Sequence, residues 1–428
     1  MPSSPAARCW FPAAAAVSTA GWGANQFTPL AAVYRTQQHW PALPVAAMFT
    51  TYLLGLLPGL LLGGPAANRL GRRRVVRPAL VLSAAASGLL ATAALSQSAV
   101  YVSRLATGVA AGVVLTAGTT WLRELSAHPA AGVRRATYAT GGGFAAGALT
   151  AGAVAERLPH PTVLPCLVHS LLALLALAAT RRVPETAPSP RGTWAQTLTA
   201  SPYRAAVRHP RFTRVVLPAS PAVFTASTVA YVVLPSLVAD RVPDHAPVFS
   251  GLVTALTLGV GVAVQPLADR MDHAGSARAT LAAMAAVIGG LLVSACAAHL
   301  DSARLVLAAA ALLGAGYGLT LSSGLREIER LAPPAVLPSA ASLYHGATYS
   351  GFLTPLLLAV TAGAASYPAL LTGLAAVGLL CLVITARYSR RHLPPTAAGC
   401  AEPWHRADHV IPKPPERRSE ERSRPWGE

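Results

Sequence analysis

The sequence predicts an all-α polytopic membrane protein, with 12 transmembrane helices arranged as two pseudo-symmetric six-helix bundles. Apolar runs recur from Trp10 to Ala386, charged or proline-rich breaks divide them into about twelve, and fragments of the first half return in the second about 200 residues later. Each run approaches the ~20 residues that a helix needs to cross a ~30 Å hydrocarbon core. Of the 428 residues 53% are apolar and 12% charged, with a mean hydropathy of +0.47, against roughly a quarter charged in a soluble domain. A soluble enzyme is excluded.

The first span is expected at 10–34. Arg8 ahead of an alanine-rich stretch resembles a signal peptide, but the apolar run continues past any cleavage site to Tyr34, which favours a spanning helix. Spans two to six follow at 45–66, 76–96, 99–121, 136–157 and 162–180. Gly55, Gly59 and Gly63 in the second and Gly143 and Gly147 in the fifth recur every four residues, a spacing that lets helix backbones approach closely. Spans seven to twelve are expected at 213–238, 247–267, 279–299, 303–324, 338–362 and 366–386. The longest internal break, with RRVPETAPSPRGTW, divides six from six. The expected organisation is a bundle at 1–182, a cytoplasmic loop at 183–211, a bundle at 212–387 and a tail at 388–428. That tail is polar, proline-rich and charged, a composition that stays disordered.

The formal charge is +18, and a single lysine, Lys413, stands among 34 basic residues. Nineteen arginines fall in loops after even-numbered spans and three, Arg35, Arg157 and Arg241, in the opposite loops. This asymmetry sets orientation and places both termini in the cytoplasm, with the plasma membrane as the expected location. The basic tail mixes signs, so lipid contact or solvation is expected there and nucleic acid is not. Five cysteines stand singly, without CxxC spacing. No disulfide framework, metal site or cofactor is indicated.

Ala67-Asn68-Arg69 returns as Ala268-Asp269-Arg270, Arg104-Leu105 as Arg304-Leu305, and Leu122-Arg123-Glu124 as Leu325-Arg326-Glu327. Three short matches in the same order at offsets of 200 to 203 residues point to duplication. Six-helix repeats about a central cavity are one architecture by which solutes cross membranes.

Residues 64–74, GPAANRLGRRR, follow the second span, and Arg104, Gly108 and Gly112 share a face of the fourth. The first resembles the G-x-x-x-D-R-x-G-R-R loop of the major facilitator superfamily and the second its arginine-glycine motif. Over residues 10 to about 390 the chain is similar to members of that family. More loosely, GWGANQF, LPGLLLGGP, LVH, QPLADR and GYGL resemble uncharacterised actinobacterial members. The resemblance implies the family's fold, a gate at Gly64, Asn68, Arg69, Gly71, Arg72 and Arg73, and a coupling role for Arg104. Asn68 departs from the family's aspartate; it keeps the ability to cap a helix without the charge. The simpler reading of Arg72, Arg73 and Arg74 is as topology anchors. Arg104 either snorkels to the outer surface or faces neighbouring helices, because an arginine within hydrocarbon costs at least ~2.5–3.5 kcal/mol. The fifth span reads Gly147-Ala148 in place of the family's Gly-Pro antiporter signature, so antiport does not carry over.

Titratable groups within spans are few: Glu156 near the outer end of the fifth, His169 and His345. Together with Arg104 they are the coupling candidates, since histidine changes charge near neutral pH, although a helical histidine also packs without titrating. Asn25, Gln26, Gln265, Tyr317, Tyr344 and Tyr349 lie in spans that line the cavity in this superfamily, and they form the candidate substrate site, largely neutral and weakly polar. The expected function is proton-linked export of small hydrophobic or amphipathic molecules, with uptake, facilitated diffusion or a non-transporting sensor as alternatives. The expected partners are a small-molecule substrate, protons and the bilayer, and no oligomer is required. No HExxH or GxSxG motif suggests an enzyme.

Overall fold

The computed structural model describes residues 9–93, 96–186, 209–273, 275–331 and 337–391, and among these twelve helical stretches follow one another. They are α1 (Trp10–Asn25, resumed after Gln26 as Phe27–Thr36), α2 (Ala42–Leu70), α3 (Arg72–Leu90), α4 (Gln97–Glu124), α5 (Pro129–Arg157) and α6 (Leu164–Arg182). Then come α7 (Phe212–Leu237), α8 (Pro243–Met271), α9 (Arg278–His299), α10 (Ala303–Leu331), α11 (Leu337–Tyr349, resumed as Thr354–Thr361 after a tighter turn at Ser350–Leu353) and α12 (Tyr367–Tyr388). No β-strand occurs among the described residues.

Eight of these helices, α2, α4, α6, α7, α8, α9, α10 and α12, are long and apolar enough to cross a bilayer. The other four fall short for local reasons. The breaks in α1 and α11 leave no uninterrupted stretch of ~20 residues. α3 opens on Arg72, Arg73, Arg74 and Arg77, and in α5 glycines and threonines lower the hydropathy of a charge-free middle, 136–155, between Arg134–Arg135 and Glu156–Arg157. The expected third span began at 76, but the helix starts four residues earlier because a carboxylate outside it satisfies its first N–H groups. Of the expected loop at 183–211 only 183–186 and 209–211 are described, and of the expected tail only 388–391.

Lipid is as apolar as a leucine side chain, so close packing and backbone approach, rather than hydrophobic burial, hold membrane helices together. Gly55 and Gly59 of α2 lie against the Leu105 and Val109 carbonyls of α4, and Gly108 and Gly112 of α4 against the Tyr52 and Leu56 carbonyls of α2. A Cβ at any of the four would collide with backbone. The α8–α10 contact repeats this, with Gly314 against Thr257 and Gly318 against Gly261. Gly261 and Gly314 touch as Gly59 and Gly112 do, each 202 residues further along the chain. Gly143 and Gly147 of α5 meet the backbone of Ser18 and Trp22 in α1.

Contact between the first six and the last six helices runs along α5 and α8, where Gly152 meets the Pro247 carbonyl and Gly251 the Ala148 carbonyl. The largest apolar cluster also draws on both groups, including Phe27, Phe49 and Leu53 from the first and Tyr231, Leu313 and Phe352 from the second. The starts of α3 and α7 and the ends of α4 and α10 share the arginine-rich end. The end of α5 and the start of α8 lie at the opposite end.

Candidate functional site

Near the middle of the helices, rings from both groups meet. Phe224 of α7 stacks on Tyr349 of α11, with centroids 4.7 Å apart and planes 9° from parallel, and Tyr317 of α10 lies 6.0 Å from Phe224. Phe352 approaches Phe224 at 4.6 Å, Tyr349 at 5.8 Å and Tyr52 of α2 at 6.3 Å. Thus Tyr317 and Tyr349, two expected substrate contacts, share one cluster. Phe49, Tyr52, Phe224 and Phe352 complete it and were not foreseen, because an aromatic residue in an apolar run carries no sequence mark that separates a lining position from a packing one.

Arg104 does not snorkel. It is 1% exposed, and its guanidinium lies over the rings of Phe27 at 4.4 Å and Tyr52 at 4.7 Å. Nη1 donates to the Ala24 carbonyl at 3.4 Å, while Nε, fully enclosed, meets no acceptor. Cation–π contact repays part of the desolvation of such a charge.

Gln26 and His169 join in one buried chain. Nε2 of His169 faces the Thr19 carbonyl at 3.1 Å, and a carbonyl only accepts, so Nε2 carries the proton. In the neutral ring Nδ1 then accepts from the Ser87 hydroxyl at 2.6 Å, and Ser87 accepts from Gln26 Nε2 at 2.7 Å. The chain links α1, α3 and α6 with a neutral histidine, and leaves Gln26 Oε1 buried without a partner. Asn25 is buried beside it at the break in α1.

The remaining candidates lie apart. Tyr344 is buried in a cluster with Phe212, Val216 and Ile328 at the arginine-rich end, and its hydroxyl donates to the Thr320 and Leu321 carbonyls at 3.0 and 3.2 Å. Tyr344 thus spends its hydroxyl on acceptors in α10 and is not among the stacked rings around Tyr349. His345 donates through Nδ1 to the Ala341 carbonyl of its own helix at 2.7 Å. Gln265 follows the irregular turn at Val264 in α8, toward the arginine-rich end. Glu156, at the opposite end, accepts from the Val248 N–H at 3.3 Å and pairs with His245 at 2.9 Å, tying α5 to α8. Ser250 donates to the Thr28 carbonyl at 3.3 Å nearby. At this end a cavity is lined by Thr28, Arg35, Phe49, Ser236, Ser250 and Tyr367 among others.

At the arginine-rich end Asn68 does not cap α3. Its Oδ1 accepts from Arg72 Nη1 at 2.5 Å, and the first N–H groups of α3, on Arg72 and Arg73, donate to the Glu185 carboxylate at 2.7 and 3.1 Å. A carboxylate at a helix N-terminus meets both unsatisfied donors and the positive end of the helix dipole. Arg72 also pairs with Glu124 at 3.1 Å, and the Thr186 hydroxyl donates to Glu124. Gly71, with φ of +102°, turns the chain beside Glu185, where a Cβ would strike the carboxylate. Gly64 faces open space, and Arg69, at the end of α2, is half-buried.

The second half holds a counterpart that sequence reasoning missed. Arg211, wholly buried, pairs with Glu327 through Nε at 2.7 Å and Nη2 at 3.0 Å, and its Nη1 donates to the Ser389 and Arg391 carbonyls. Arg330 joins Glu327 to Asp272, and Arg326 pairs with Asp269. Glu327 is the residue that the repeat aligns with Glu124, which was the available signal.

The sequence matches the family described as Major Facilitator Superfamily over residues 13–353. No curated protein matches it in sequence. Its fold is similar to that of the nucleoside transporter NupG, with a TM-score of 0.68, 12% identity and coverage of 88% of this chain and 98% of that one. It is also similar to the xylose transporter XylE from E. coli in an inward open conformation, at 0.65, 14%, 88% and 94% on the same measures. A POT family transporter in complex with 5-aminolevulinic acid gives 0.71, 11%, 89% and 96%.

Proposed function

Because the chain belongs to the major facilitator superfamily, and so is a multi-pass membrane transporter rather than an enzyme, we propose that it moves small amphipathic molecules by alternating access, as a proton-linked exporter. The observation that carries this reading is the ring cluster that α2, α7, α10 and α11 build together. A lining shared between two bundles turns toward one side of the membrane and then the other as the bundles rock. Rings with few charges suit a cargo with an apolar body.

On this reading the arginine-rich end is cytoplasmic, with both termini, in the plasma membrane. The outer side is then closed by Glu156 on α8, Ser250 on Thr28 and Phe49 on Phe352. The ion pairs Arg72–Glu124 and Arg211–Glu327 each stay within one half, which fits an inward-facing state.

Facilitated diffusion or uptake is a second reading, favoured by two observations. His169 sits in a hydrogen-bond chain that a neutral ring satisfies, and the described carboxylates lie toward helix ends or in loops.

Proteoliposome flux decides between them. A panel of amphipathic compounds is followed with an imposed pH gradient and again after a protonophore. Flux that stops with the gradient supports proton coupling, and its direction against or with the proton flow separates export from uptake; flux that continues down its own gradient supports facilitated diffusion. No flux for any compound favours a sensor.

A further inference from the structure

Resting on the transporter reading above, we infer that Arg104 binds an anionic group of the cargo, so that the substrate class is an amphipathic organic anion with a flat apolar body and one carboxylate or equivalent charge. Arg104 and Arg211 are the two most deeply buried arginines among the described residues, one in each half, and their surroundings differ. Arg211 meets a bidentate carboxylate and two carbonyls. Arg104 meets one carbonyl at a long 3.4 Å and two ring faces. No carboxylate pairs with it among the described residues, and its buried Nε has no acceptor.

A guanidinium offers five N–H donors in a planar fork shaped for a carboxylate. A buried polar group left without its bonds is costly, and a charged one more so. Here the protein places the charge and the described residues supply no carboxylate for it, so a ligand anion completes the site. Access is through Tyr52, whose ring covers Arg104 on one side and adjoins Phe352 of the ring cluster on the other. A ligand body resting among Phe352, Phe224 and Tyr349 brings a carboxylate to Arg104 once the Tyr52 ring turns aside. The neutral site that the sequence suggested thereby gains a charge requirement.

The test measures equilibrium binding of 1-naphthoate and its neutral isostere 1-naphthamide to the purified full chain in nanodiscs, for the wild type, Arg104→Lys and Arg104→Gln. The expected result is wild-type preference for the carboxylate of about tenfold or more, as a charge-assisted pair provides. In Arg104→Gln that preference is lost while amide binding persists, and Arg104→Lys keeps part of it. Equal wild-type affinity for the two probes, or no naphthoate binding, overturns the proposal without any variant. An undiminished preference in Arg104→Gln also overturns it. Counterflow of the same probes keeps the two readings apart: neutral and anionic cargo moving alike sinks the anion site and leaves the transporter. Arg104-dependent binding without flux does the reverse.

Discussion

The ring of Phe49 on α2 lies parallel to that of Phe352 on α11, with centroids 5.6 Å apart and planes 12° from parallel. Phe49 also lines the cavity at the end opposite the arginines, and Phe352 belongs to the ring cluster with Phe224 and Tyr349. One stacked pair, contributed by the two halves, therefore joins the cavity lining to the rest of the ring cluster. An offset stack of this kind contributes ~0.5–1.5 kcal/mol beyond its area, small enough for a gate that must open on every cycle.

Phe49→Ala should open this barrier. With the five native cysteines replaced and Tyr349→Cys as reporter, a membrane-impermeant maleimide applied from the cavity side should react roughly tenfold faster than with Phe49 present, the equivalent of ~1.4 kcal/mol. An unchanged rate would show that other contacts close the path.

Glu156→Gln should loosen the same side. The substitution removes the charge that faces the α8 N-terminus and His245, a contribution of ~0.3–1 kcal/mol. The population with this side open should rise by about two- to fivefold, read as a longer distance between spin labels on Arg157→Cys and Asp244→Cys. No change in that distribution would make Glu156 a bystander.

At the other end, Asn68→Asp should preserve or raise transport, because a carboxylate beside Arg72 replaces a neutral acceptor at 2.5 Å. Asn68→Leu should abolish it. Glu185→Gln should lower thermal stability, since that carboxylate caps two N–H groups of α3 and a lost cap costs ~0.5–2 kcal/mol. Equal flux for both Asn68 variants would remove Asn68 from the gate.

Arg211 and Glu327 form a buried pair whose halves need each other. Arg211→Met or Glu327→Leu alone should destabilise by ~3–5 kcal/mol, because each takes the bidentate partner from the other buried charge, leaving Glu327 only Arg330 at 3.3 Å and Arg211 only backbone carbonyls. The double variant should recover much of that loss in detergent melting temperature. Additive losses would mean that the carbonyls of Ser389 and Arg391, not Glu327, are the main partners of Arg211.

Much of the candidate site was visible in the sequence only as residue type. Tyr317, Tyr344 and Tyr349 look equivalent there, all tyrosines on spans of one kind, yet two join the ring cluster and the third spends its hydroxyl on carbonyls of α10. Glu156 and His169 were both coupling candidates; one bridges α5 and α8 at an end, and the other is locked in a chain through Ser87. Glu185, inside what the sequence shows as a proline-rich loop, caps α3 in place of Asn68.

Helical class, the succession of apolar spans, the internal duplication and the family resemblance all follow from the sequence, because hydropathy over ~20 residues and the need to satisfy every backbone group in lipid leave a chain of this composition little choice. Which aromatic rings meet, which carboxylate finds which arginine, and that Arg104 is enclosed with no carboxylate beside it among the described residues were decided only when the helices packed. Those outcomes depend on the rotation and depth of each helix against its neighbours, set by close contacts such as Gly59 on Gly112 and Gly261 on Gly314. Such contacts join residues far apart in the chain: the four-residue glycine spacing marks a face for close packing but does not say which helix it meets.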